Sequence, residues 1–183
     1  MSVLATIALI SGVLGVLFTI MQRIWCWPLA LISVVASFLE FYEQRLYGDM
    51  ALQGFYFIAG IYGWYYWKRN ENKEFNVMHT PRTMRLFMFL ATLIQSILYY
   101  FLLKKLKGDQ IEFDAILTAC SITATFMMTK KWIENWAFWV LIDLAYVILY
   151  WKKEMPLFAV LYFVFTAMAA YGFYSWRTQR SLK

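Results

Sequence analysis

Residues 62–67, YGWYYW, and residues 171–176, YGFYSW, close two apolar runs with nearly the same hexapeptide, 109 positions apart. Carried along the chain without gaps, the same offset sets Trp27 on Trp136, Ala36 on Ala145 and Leu52 on Leu161. Each hexapeptide ends the third run of a triplet: 3–21, 26–43 and 49–67 in the first, 112–129, 135–151 and 156–176 in the second. A single run, 84–103, lies between them. Runs of this length suit a bilayer, because a helix needs roughly 20 residues to cross a hydrocarbon core of about 30 Å. The sequence therefore predicts an all-α integral membrane protein with seven transmembrane helices in a 3+1+3 order.

One intervening helix makes the second triplet start from the same side as the first. The triplets are then expected to be parallel repeats, as in transporters of the SWEET type, whose substrate sites lie near the midplane. The implied organisation is a first three-helix repeat over 1–67, a loop and linker helix over 68–110, and a second repeat over 111–183. The loop KRNENKEFNVMHTPR, 68–82, is polar and charged and reads as a solvated connector. Of the 17 basic residues, 11 fall on the side that holds this loop, which predicts an outside amino terminus and a cytoplasmic carboxyl terminus.

Composition agrees with a bilayer solvent and excludes several functions. Hydrophobic residues make up 62% of the 183 and charged residues 15%, far from the balance of a soluble domain. The net charge of +6 is accounted for by cytoplasmic loops, and no nucleic-acid partner is expected. The first run has neither a basic leader nor a cleavage site, so it reads as a mature helix. Cys26 and Cys120 sit inside apolar runs as small buried hydrophobes, and His79 has no second ligand near it in sequence. No metal, cofactor, catalytic nucleophile or phosphate loop is expected, so any transport is secondary or passive.

The chemistry concentrates in WIENWAFWVLIDLAYVILYW, 132–151. Trp136, Trp139, Asp143, Tyr146 and Tyr150 follow at spacings of three and four and share one helix face. Interfacial belts account for Trp132, Trp151, Trp67 and Trp176 near helix ends, but not for a carboxylate in the middle. A charge at that depth costs about 2.5–3.5 kcal/mol and is placed toward a bundle interior or wet cavity. Aromatic rings flanking an acid suit a flat cationic ligand, by stacking and cation–π attraction of about 0.5–2 kcal/mol each. A proton relay and a structural hydrogen bond are the competing readings for Asp143. Gln53 and Tyr56, one turn apart in the third run, are candidates for a ligand's hydroxyls or for a helix-to-helix bond. Asp114 opens the fifth run, where helix capping and substrate contact are both open.

MMTKKWIENWAFWVLID (127–143) and RLYGDMALQGFYFIAGIYGWYYW (45–67) resemble the PnuC family of bacterial vitamin-precursor transporters, and the likeness covers nearly the whole chain. The resemblance implies an inner-membrane, multi-pass homotrimer that moves nicotinamide riboside by facilitated diffusion, with a cytoplasmic kinase trapping the substrate. It maps the family's ENWxxW motif onto Glu134, Asn135, Trp136 and Trp139, and its third-helix glutamine onto Gln53, as substrate contacts. Nicotinamide riboside carriers typically have asparagine where this chain has Asp143. Aspartate resembles the branch linked to thiamine, often called PnuT. A membrane scaffold without transport is the reading from a different class.

Overall fold

The computed structural model describes residues 2–43, 47–71, 76–105, 111–152, 154 and 156–181. Seven helices run in chain order: α1 (Val3–Ile20), α2 (Cys26–Glu43), α3 (Tyr47–Arg69), α4 (Arg82–Lys105), α5 (Ile111–Thr129), α6 (Asn135–Lys152) and α7 (Pro156–Ser181). Among the described residues there is no strand, only an isolated parallel bridge between Met78 and Trp132. Among the described residues, five helices are long and apolar enough to span a membrane: α1, α2, α4, α5 and the Phe158–Gln179 stretch of α7. The tyrosines and tryptophans of α3 and α6, with Gln53 and Asp143, lower the hydropathy of those two. Arg45, Lys73, Lys107, Lys153 and Lys183, counted above for orientation, lie outside the described residues.

The chain divides into two units, Met1–Asn76 and Val77–Lys183. In the first, α2 packs against both α1 and α3. Ser2 caps α1 by accepting from the Ala5 N–H at 2.9 Å, and its hydroxyl donates to Glu40 near the end of α2. Midway, Ser33 of α2 donates to the Ala8 carbonyl of α1 at 2.7 Å, so a polar group inside an apolar pair is satisfied across the interface. The α1–α2 turn is a Schellman closure: Arg23 N–H bonds Phe18 O, Gln22 N–H bonds Thr19 O, and Gln22 takes φ 54°.

In the second unit α5 packs against α4 and α6, and α6 against α7. The buried positions of α5 are mostly small, among them Ala115, Ala119, Ser121, Thr123 and Ala124, which lets neighbouring backbones approach closely. Thr123 meets Thr92 of α4 through a hydroxyl pair at 2.7 Å. The α5–α6 turn repeats the first one bond for bond: Trp132 N–H to Met127 O, Lys131 N–H to Met128 O, and φ 53° at Lys131. These residues are the first-turn residues plus 109.

The same register recurs just past the turns, where α2 and α6 begin and α3 and α7 near their ends. Trp27 meets Trp67 edge to face at 5.6 Å and 86°, and Trp136 meets Trp176 at 5.3 Å and 87°. Each indole is seated on a glycine, Gly63 under Trp27 and Gly172 under Trp136. A Cβ there would come within 2.2 Å and 2.8 Å of the respective ring. Aromatics at helix ends are expected as interfacial belts; Trp67 and Trp176 are instead almost fully buried pegs.

Candidate transport site

Asp143 is 8% exposed on α6 and, among the described residues, makes no hydrogen bond or ion pair. The residues of its face go different ways. Trp136 at the start of α6 is enclosed by Trp176 and Gly172 of α7, so its ring is spent on packing. Trp139 is half-buried and packs on the Leu117, Ala124 and Ile142 core together with Tyr146. Tyr146 in turn meets Phe113 of α5 edge-on at 6.4 Å. Beyond Asp143 toward the end of α6, Tyr146, Tyr150 and Tyr162 of α7 stack on one another, and Phe158 continues the stack from Tyr150 at 5.2 Å.

Glu134 and Asn135 are engaged at the base of α6. Glu134 accepts from the Thr80 N–H at 2.9 Å and the Thr80 hydroxyl at 2.8 Å, with His79 Nδ1 at 2.8 Å and Arg85 at 3.7 Å. The strap 77–80 is held alongside by Met78, which donates to Lys131 O and accepts from Ile133 N–H. Burial alone would push the Glu134 carboxyl up, but the bonds from Thr80, from its own backbone N–H and from His79 outweigh it and hold it below the ordinary value. Asn135 is fully buried, and its amide donates to the Trp132 carbonyl at 2.6 Å. Among the described residues its Oδ1 has no partner, nor do the indole N–H groups of Trp27 and Trp136.

In the first unit Gln53 lines a groove of about 220 Å³ with Val34, Val35, Phe38, Gly54 and Phe57. Tyr56 is half-buried and packs edge-on against Phe55 at 5.8 Å rather than lining that groove. Asp114 lies in the first turn of α5, half-buried, where the helix dipole favours an acid. The structure thus brings Trp139, Asp143 and Tyr146 onto one wall of α6 and turns Glu134, Asn135 and Trp136 toward supporting contacts. Sequence reasoning missed Thr80 and Arg85 as partners of Glu134, since nothing local signals a bond across about 50 residues. It also missed Tyr162, although the 109-residue offset that pairs the two hexapeptides carries Gln53 onto it.

A family model described as nicotinamide mononucleotide transporter matches residues 2–178. The chain belongs to this family, the PnuC transporters. The nicotinamide riboside transporter PnuC of Escherichia coli is 26% identical over 204 residues, covering 96% of this chain and 85% of its own. The riboflavin/roseoflavin transporter RibM of Streptomyces davaonensis is 25% identical, covering 91% and 81%. The crystal structure of a vitamin B3 transporter PnuC superposes with a TM-score of 0.77 at 25% identity, over 96% of this chain and 80% of that one. As a PnuC family member the chain is a membrane transporter, a multi-pass protein of the bacterial inner membrane.

Proposed function

We propose that this protein takes up an unphosphorylated cationic vitamin precursor of the nicotinamide riboside class by facilitated diffusion, with a cytoplasmic kinase trapping what enters. The observation that carries this reading is Asp143, a buried acid without a described partner on a wall of aromatic rings. Such an acid balances a fixed positive charge and makes a site poor for a phosphate, which would be repelled at short range in a low dielectric. Trp139, Asp143 and Tyr146 are the proposed contacts on the second unit, with Asp114 near the start of α5; Gln53 and Tyr56 are those on the first. Glu134, Asn135 and Trp136 hold the base of α6 in position.

The accompanying architecture is a 3+1+3 repeat of the SWEET type, amino terminus outside and carboxyl terminus cytoplasmic, working by alternating access in a homotrimer. The matching turns and tryptophan pairs at an offset of 109 support the repeat.

A second reading, thiamine, is favoured by Asp143 itself, because a carboxylate accepts from an aminopyrimidine whereas an asparagine also donates to ribose hydroxyls. Calorimetric titration of both ligands into purified protein, wild type and Asp143→Asn, separates them. Thiamine binding lost in Asp143→Asn selects the second reading; nicotinamide riboside preferred by the wild type and weakened in the variant selects the first, whereas riboside binding kept in the variant removes Asp143 as its counter-charge. Failure of both ligands to exchange in liposome counterflow would show that the protein does not carry this class at all.

A further inference from the structure

The 109-residue register is anchored at the left-handed residues Gln22 and Lys131, and again where tryptophan meets glycine and tryptophan at 27, 63, 67 and 136, 172, 176. Within it Val34 corresponds to Asp143 and Gln53 to Tyr162. Val34 and Gln53 line a single groove of the first unit. Their counterparts accordingly fall at adjoining positions of α6 and α7.

An independent observation puts Tyr162 in the same location. Its ring stacks on Tyr146 at 4.7 Å and 29° and on Tyr150 at 5.4 Å and 16°. Asp143, Tyr146 and Tyr150 occupy successive turns of one face of α6, so Tyr162 covers that face within a turn of the acid. Tyr146 and Tyr150 are themselves 6.1 Å apart at 24°, much less than the sum of their separations from Tyr162, so both lie toward one side of it. The three phenol rings form a near-parallel plate that starts one turn from Asp143.

We propose that Tyr162 is a specificity-determining residue of the transport site, and that its plate with Tyr146 and Tyr150 selects, beside Asp143, a flat ring carrying fixed positive charge over a neutral one. This deepens the substrate class proposed above and rests on it. A neutral flavin gains stacking from such a plate, whereas a pyridinium or thiazolium ring gains stacking, cation–π attraction and the field of the acid. At the equivalent position the first unit offers the Gln53 amide, which suits hydroxyls rather than a ring face.

The test is calorimetric titration of nicotinamide riboside, thiamine and riboflavin into the full-length protein in detergent, as wild type, Tyr162→Phe and Tyr162→Gln, with thermal unfolding confirming that each variant is folded. The wild type should prefer a cationic precursor to riboflavin. Tyr162→Phe, which keeps the ring, should stay within about threefold, and Tyr162→Gln should weaken the cation roughly tenfold while changing riboflavin less. Should Tyr162→Gln not fold, Tyr162→Leu replaces it with the same expected result. Unchanged cation affinity, or equal weakening of cation and flavin, overturns the role of Tyr162 and leaves the substrate class standing. A wild type that binds none of the three, or prefers riboflavin, overturns the substrate class and this inference together.

Discussion

In the first unit a left-handed turn launches a helix that carries Trp27 and, seven residues later, Val34; in the second an equal turn launches one that carries Trp136 and Asp143. Both tryptophans lie edge to face against a second tryptophan and rest on a glycine. What matches between the units is shape, at turns and seats where only a few side chains fit. What differs is chemistry, on the faces beyond that fixed end: an apolar groove with one amide in the first, an acid beside stacked tyrosines in the second. Turn and seat fix one end of the helix, and the positions beyond them are available for a ligand.

The largest effect expected from breaking the comparison lies at the two glycine seats. Gly63→Ala sets a Cβ within 2.2–2.5 Å of three atoms at the benzo tip of Trp27, which is buried to 1% exposure and has nowhere to retreat. Gly172→Ala meets the body of the Trp136 ring at 2.8 Å, where a small shift of the indole relieves more of the clash. Both should destabilise by about 1–3 kcal/mol, the first more than the second. Thermal unfolding in detergent ranks them. Equal losses would mean the two seats are mechanically alike, and no loss at Gly63 would remove the peg-and-seat account.

A middle-sized effect separates the units. At the position of Glu134 the first unit has Trp25, which is exposed, whereas Glu134 ties the strap 77–80 to the α5–α6 turn. The charged or titratable groups that face it are His79 and Arg85. Glu134→Gln keeps an acceptor but loses charge assistance, a cost of about 1–2 kcal/mol at neutral pH for a partly exposed group. Because its folded pKa is depressed, the carboxylate contributes fully above its ordinary value of 4.5, and the contribution is lost as pH falls through the lower folded value. The gap in melting temperature between wild type and Glu134→Gln should therefore be flat from neutral pH down to about 5 and close below the ordinary value. A gap that stayed constant into acid would assign the loss to shape instead of charge.

How much of this was legible in the sequence follows from the range of each interaction. Helix spans were readable because a run of apolar residues is a local property, and the seven runs match the seven helices to within a few residues. The offset of 109 was readable from two hexapeptides, although not its meaning as seated indole pairs, since a glycine beneath a ring twenty or more residues away leaves no local mark. Asp143 stood out because a lone acid in an apolar run has few explanations. Trp136 and Glu134 could be singled out as special by their motif, yet their neighbours are set by α7 and by the strap, which no spacing along α6 encodes. Tyr162 was hidden for a different reason: one tyrosine among the many aromatics of α7 gains significance only when a register and a stack coincide.

The smallest effect is the sharpest test of how alike the two turns are. Gln22 and Lys131 both hold φ near 54°, a left-handed conformation that costs an L side chain about 1–2 kcal/mol and glycine little. Gln22→Gly and Lys131→Gly should each recover part of that cost, offset by the greater freedom glycine has when unfolded, for a net gain of about 0.5 kcal/mol. Gln22 is half-buried, and its replacement should show the gain nearly in full. Lys131 is buried at 8% exposure, so removing its stem forfeits packing and should shrink or cancel the gain. The expected order is therefore a small rise in melting temperature for Gln22→Gly and little change for Lys131→Gly. If both fell by several degrees, the Schellman bonds at Phe18 and Met127 would depend on those side chains rather than on backbone geometry, and the likeness of the turns would be a likeness of outline only.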